Sequence, residues 1–264
     1  NGTVFCLMFN VRAILLRKDV RFTFDNSERI YKADSSKHIR YFFAKEQNWN
    51  CYGDGLSNRA QQLGRAYFCH LIDFNEKDLI IDCGANVGDL ELYFQENNSR
   101  IRYVGIEPSP REYICLQKNV KESQTYNIGL WSEESSLRFF VSSDNADSSF
   151  IEPLRYTEVL SVATKRLDTL INEPVKLLKI EAEGAEPEAL LGCSQLLSKI
   201  EYISADLGCE RGVLQESTLA PVTNYLVQNG FELLAVGYPR AVALFKRRAN
   251  IVRQLNQLHR SPND

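Results

Sequence analysis

"DLIIDCGANVGDLELYF", residues 78–94, sets an apolar run, an acid, two glycines and a second apolar run side by side. Leu79, Ile80 and Ile81 read as a buried strand, since a short apolar run bounded by turn signals suits a strand covered on both faces. Asp82 ends that strand, Gly84 and Gly88 punctuate a tight turn, and Leu90, Leu92, Tyr93 and Phe94 supply the apolar face of a helix. A strand, a glycine turn and a helix in succession make a junction where a ligand can lie close to backbone.

Outward from this junction, strands and helices alternate. "IRYVGIE" is a second strand and "PREYICLQKNVKE" a helix. A third strand lies near "QTYNIGL", and "SSLRFFVSSD" alternates weakly as a hairpin extension. "VKLLKIEAEG" (strand), "AEPEALLGCSQLL" (helix), "IEYISADLG" (strand) and "LAPVTNYLVQNG" (helix) follow. "FELLAVG" and "AVALFKR" form a terminal antiparallel pair, turning at Tyr238 and Pro239. The alternation predicts an α/β fold with a mostly parallel sheet covered on both faces, and ligands bind such sheets beyond the carboxyl ends of the strands. The expected division is an N-terminal, mostly helical extension or substrate cap over 1–75, helical in "LSNRAQQLGRAYFCHLI". A sheet domain over 76–248 and a C-terminal helix or tail over 249–264 complete it.

The 264 residues are 44% hydrophobic and 25% charged, enough for one large α/β domain with additions. A net charge of −3 gives no global attraction to nucleic acid or to an anionic surface. Seven scattered cysteines without a CxxC pair argue against a disulfide framework or structural zinc and for a reducing, cytoplasmic setting. The N-terminal "NGTVFCLMFNVRAILLRKD" is interrupted by Asn10 and Arg12 and too short to span a membrane, so no membrane insertion is expected.

The glycine turn narrows the ligand. Gly84-Ala85-Asn86-Val87-Gly88 lacks the third glycine of a dinucleotide fingerprint, and Asp82 would repel a pyrophosphate. An acid, two glycines and a helix start suit the amino-acid end of S-adenosylmethionine, which carries both an ammonium and a carboxylate. Glu107, closing "YVGIEP", is placed to accept both ribose hydroxyls, a role that would serve NAD equally. On this basis Gly84→Val should exclude the ligand while sparing the fold.

"DCGANVGD", "VGIEPSP", "TKRLDTLI" and "LLKIEAEGAEPEALLG" together resemble the FkbM family of S-adenosylmethionine-dependent methyltransferases, over roughly residues 75 to 205. The resemblance implies a class I Rossmann-like methyltransferase fold with seven strands, the last antiparallel. It implies methyl transfer to a hydroxyl of a small-molecule or glycan acceptor, often a sugar or glycosylated metabolite. It places Asp82, Gly84, Asn86 and Gly88 along the methionine end of the cofactor and Glu107 at its ribose, with Ala85 and Pro108 beside them. Glu181 stands where members commonly have Asp, and Asp89 and Glu91 stand where they often have a hydroxyl or aromatic residue.

The second cluster is "KIEAEGAE". Alternation along a strand would put Glu181 and Glu183 on one face with Lys179 beside them, as counter-ion or catalytic group, while Glu186 falls in a helix first turn. Asp206, in "SADLGCERG", would face the same rim. Three carboxylates there permit either a general base or an oxygen site for magnesium. Glu183 is assigned as base with Glu181 and Asp206 positioning the acceptor; Glu181, Glu183 and Asp206 would be the metal ligands otherwise. His38, His70 and His259 lie outside the strand-end motifs, and Tyr41, Phe42, Phe43, Trp49 and Tyr52 suit core packing better than sugar stacking. The competing readings are a methyltransferase of protein or nucleic acid, for which no N/D-P-P-Y/F loop occurs, and a noncatalytic nucleotide-binding Rossmann-like module or a dinucleotide oxidoreductase.

Overall fold

A computed structural model of the chain describes residues 2–36, 40–97, 99–142 and 148–248, the side chain of Gln47 excepted. The expected tail over 249–264, His38 and His259 lie outside those residues. The described part opens with α1 (Gly2–Leu15) and a three-stranded antiparallel sheet of β1 (Arg21–Asp25), β2 (Ile30–Asp34) and β3 (Arg40–Phe43). Short α2 (Trp49–Tyr52) and longer α3 (Leu56–Ala66) follow.

That sheet adds three strands that the sequence reading did not place to an extension in which the helices still outweigh the strands. Tyr31 and Ala33, then Tyr41 and Phe43, are buried on alternate positions, a period of two that marks strands. Their rings join Phe22 and Tyr52 in an aromatic core, with Tyr31 stacked on Phe43 at 5.2 Å.

The remainder runs β4 (Leu79–Cys83), α4 (Asp89–Glu96), β5 (Arg102–Ile106), α5 (Pro110–Asn119), β6 (Gln124–Tyr126), β7 (Gly129–Leu130), β8 (Ser135–Val141) and β9 (Glu158–Lys165). It continues through α6 (Leu167–Leu170), β10 (Val175–Ile180), α7 (Glu186–Leu191), β11 (Ile200–Asp206), β12 (Cys209–Arg211), β13 (Glu216–Ser217), α8 (Leu219–Gln228), β14 (Phe231–Gly237) and β15 (Val242–Arg247).

Seven strands form the main sheet in the order β14-β15-β11-β10-β4-β5-β6. Neighbours are parallel from β11 through β6, and β15 is antiparallel to both strands flanking it. This is the class I Rossmann-like arrangement, with the last strand reversed. Central β4 is buried throughout: Leu79, Ile81 and Cys83 enter the core under α7 and α8, and Ile80 enters the opposite one with Leu90, Phe94 and Leu116. Such two-sided burial explains a strand with no polar alternation.

The "QTYNIGL" stretch divides. β6 forms the sheet edge, while β7 joins β9 and β8 in a separate three-stranded sheet. The N-terminal sheet is fixed behind the glycine turn by Asn119, whose amide bonds the backbone of Phe42 both ways and donates to the Val87 carbonyl at 2.7 Å. Among the described residues no helix is long and apolar enough to cross a membrane.

Candidate active site

A cavity of about 430 Å³ opens at the carboxyl ends of β4, β5 and β10, a size suited to a small-molecule site. The turn after β4 forms its floor. The Gly84 and Ala85 N–H groups both donate to the Ile106 carbonyl at 3.0 Å, so the turn is hung from the neighbouring strand. That bend requires positive φ at Gly84 (71°), Asn86 (50°) and Gly88 (91°).

The two glycines serve different purposes from the one expected of both. A Cβ on Gly84 would lie 1.9 Å from the Glu181 carbonyl oxygen, so what needs the bare glycine is the approach of the two strand-end segments. The expectation that Gly84→Val would spare the fold is therefore corrected: the substituent meets backbone before it meets any ligand. Gly88 lies off the cavity wall and packs on Val120 and Leu116.

Glu107 is buried at the end of β5 and lines the cavity. Its Oε2 accepts the Asn86 N–H and its Oε1 the Ser109 N–H, both at 2.8 Å, which locks the carboxylate in place. Burial, then the charge of Glu112, push it up to about 8, against the pull of those two donors. Ala85, Asn86 and Pro108 line the same wall, and the Asn86 amide oxygen is buried without a hydrogen-bond partner among the described residues.

Asp82 does not offer a spare charge. It is buried, accepts the Tyr103 hydroxyl at 2.7 Å and pairs with the Lys179 ammonium at 2.9 Å. Lys179 also pairs with Glu181 at 3.1 Å and donates to the Gly84 carbonyl at 2.7 Å. Burial disfavours its charge, but Asp82 and Glu181 together hold it well above the ordinary lysine range. Held between two carboxylates and the Gly84 carbonyl, Lys179 is the counter-ion that fixes the strand ends.

Glu181 and Glu183 both line the cavity, but β10 ends at Ile180, so they sit on the following turn instead of sharing a strand face. Glu183 adopts φ of 51°, and its carbonyl accepts the Ser149 hydroxyl at 2.8 Å. Glu186 closes this turn by accepting the Ala182 and Gly184 N–H groups and the Thr218 hydroxyl, the helix-terminus role its position suggested.

The residue missed by sequence is Arg240. Its guanidinium contacts Glu181 and pairs with Asp206 at 2.5 Å, standing where the magnesium alternative would put a cation. Burial opposes ionisation of Glu181, yet Lys179 and Arg240 hold it down to about 2. Asp206 is fully buried beneath Arg240 and does not line the cavity. The three-carboxylate metal site is thus corrected, and among the described residues no group of three His, Cys, Asp or Glu side chains is arranged to hold a metal ion. A signal for Arg240 existed: a strand inserted beside "IEYISAD" must carry its hairpin tip over that strand's end, and Val242 does pair with Asp206.

Glu210 was missed as well, although "SADLGCERG" contains it. It lines the cavity on β12, with no ion pair or hydrogen bond among the described residues. Burial, then the charge of Asp206, raise it to about 7, with Arg240 opposing. Across the cavity, Arg59 of α3 holds Asp89 at 2.6 Å and brings the N-terminal region to the wall. His70 is exposed and off that wall, and Tyr41, Phe43 and Tyr52 are core residues.

A family model for the methyltransferase FkbM domain matches residues 82–233. "Methyltransferase 1" of Beauveria bassiana (strain ARSEF 2860) is 26% identical over 148 residues, 45% of this chain and 59% of that protein. The chain therefore spans less than two thirds of that relative's length. Among solved structures, the methyltransferase FkbM from Methylobacillus flagellatus KT superimposes with a TM-score of 0.50 at 18% identity, over 72% of this chain and 50% of that one.

Proposed function

Because the chain belongs to the methyltransferase FkbM domain family, we propose that it is an S-adenosylmethionine-dependent O-methyltransferase acting on a hydroxyl of a sugar, glycan or glycosylated metabolite. The observation that carries the cofactor assignment is Glu107, a buried carboxylate locked by two backbone N–H groups at the cavity wall. It keeps lone pairs for a pair of vicinal hydroxyls, as a ribose presents. The unpartnered Asn86 amide oxygen on the same wall supports the same choice, since it can accept from a ligand's ammonium. S-adenosylmethionine, when bound, supplies an electrophilic methyl on a sulfonium.

The residues of this chain do the rest. Lys179 neutralises Asp82 and shares Glu181 with Arg240, so the cavity floor is rigid and charge-balanced before any ligand enters. Glu181, fixed by Lys179 and Arg240, stays ionised and orients the acceptor beside Glu183. Glu210 takes the acceptor proton, a reassignment from Glu183, because it is the cavity carboxylate with neither an ion pair nor a hydrogen bond among the described residues. An acid-rich rim favours a neutral or cationic acceptor over a phosphorylated one.

Calorimetry with S-adenosylhomocysteine tests the reading. Removing a hydrogen bond to a charged acceptor costs about 1.5–3 kcal/mol, so Glu107→Ala should weaken binding at least about tenfold at about pH 9, where the carboxylate is ionised. The parent's affinity should climb as pH rises through about 8, the value to which Glu107 is pushed, because only the ionised form accepts both hydroxyls. An affinity equally high in Glu107→Ala would move the ribose contact elsewhere.

A further inference from the structure

α1 presents an exposed apolar stripe of Val4, Leu7, Met8, Val11, Ile14 and Leu15, each 50–76% accessible. Their spacing keeps them on one side of four helical turns. The opposite side is pinned. Cys6 and Ala13 are buried with Phe5 and Phe9 packed beside them, and Phe9 stacks on Trp49 at 3.6 Å. Asn10 exchanges two hydrogen bonds with the backbone of Phe22, at 2.7 and 2.8 Å, and Arg12 lies over the Trp49 ring at 5.0 Å. The two polar residues that interrupt the apolar run in sequence are therefore spent on the body of the protein, and the outward stripe is continuous.

Charge selects the occupant. No acid occurs between Gly2 and Lys18. Arg17, just past the end of α1, and Arg21, at the start of β1, are exposed with no ion-pair partner among the described residues, whereas Lys18 is paired with Asp54 at 2.7 Å. A second copy of α1 laid antiparallel against this face would bring no acid to meet these cations. Over Gly2–Leu15 the helix runs about 21 Å, and with only one of its faces apolar and open it is suited to lying along a bilayer surface. We propose that the outer face of α1 docks peripherally on an anionic bilayer, apolar stripe among the headgroups and acyl boundary, Arg17 and Arg21 against the lipid phosphates. The proposal is independent of the catalytic reading.

Sedimentation with phosphatidylcholine vesicles carrying about 30% phosphatidylserine tests it. The parent chain should pellet with these vesicles and be released by salt. Leu7→Glu combined with Val11→Glu should weaken binding at least about tenfold, with S-adenosylhomocysteine affinity unchanged as the check on folding. Arg17→Glu combined with Arg21→Glu should weaken it on anionic vesicles by a similar factor. Three results would overturn the proposal: a parent chain that stays in the supernatant, stripe variants that bind as the parent does, or a parent dimer in light scattering that Leu7→Glu/Val11→Glu disperses, which would give the face to a second copy.

Discussion

Gly84→Ala is expected to lose about 2–5 kcal/mol of folding stability, from left-handed strain together with overpacking. The φ of 71° is costly for any residue with a Cβ, and the added carbon would stand 1.9 Å from the Glu181 carbonyl oxygen. Backbone cannot swing aside as a side-chain tip can, so β4 and β10 must separate at their ends, where Lys179 bridges them. Gly88→Ala provides the comparison. Its φ is also positive, at 91°, but the new carbon meets the Val120 and Leu116 methyls at 2.9 and 3.0 Å, so about 1–2 kcal/mol of strain is the main loss. Urea unfolding of both variants decides the matter: if Gly84→Ala proves no less stable than Gly88→Ala, the backbone collision is not what holds that position to glycine.

Glu210→Gln is expected to lower methyl transfer to a hydroxyl acceptor by roughly 10²–10⁴-fold while leaving S-adenosylhomocysteine affinity intact. In the parent, the rate should fall about tenfold per pH unit below the value near 7 to which burial and Asp206 raise this carboxyl, and level off above it. The sign follows from the role, since the group accepts a proton only when ionised. The linked stability has the opposite slope: with its folded value above the unfolded one, Glu210 binds more protons in the folded state between about pH 4.5 and 7, so its contribution declines as pH rises through that interval. Glu183→Gln should change the rate far less. A rate profile that keeps its limb near pH 7 in Glu210→Gln would assign the proton to another group.

Much of the sheet was legible because buried parallel strands announce themselves: "DLIIDC" and "VKLLKI" are apolar on both faces, and glycine turns follow at the expected ends. The N-terminal sheet was not, because Phe22, Tyr31 and Tyr41 alternate over strands of only four or five residues, too few to stand out against a helical reading. The cavity wall was read well where the residues are contiguous in sequence, as in Gly84, Ala85 and Asn86 with Glu107 and Pro108. It failed where charge balance depends on distant pairing. Asp82 reads alone as a free carboxylate, and nothing local reveals that Lys179, 97 positions away, occupies it. In the same way, Glu181 and Asp206 look like a cation site until a hairpin 34 residues after Asp206 brings Arg240 between them.

Since Arg240 rides on the turn into β15, the strand inserted between β11 and β14, the order in which a ribosome delivers the chain has a consequence. Every other wall residue has emerged well before this one. Until the closing hairpin slots in, β11 has an open edge, and Asp206 and Glu181 face each other with no guanidinium between them. Product chains stopped short of Arg240 should therefore present a raw strand edge beside two repelling carboxylates, a state open to proteases and chaperones. The closing hairpin completes the sheet and the active-site wall in one event, so that only a domain that contains it is both closed and electrostatically quiet.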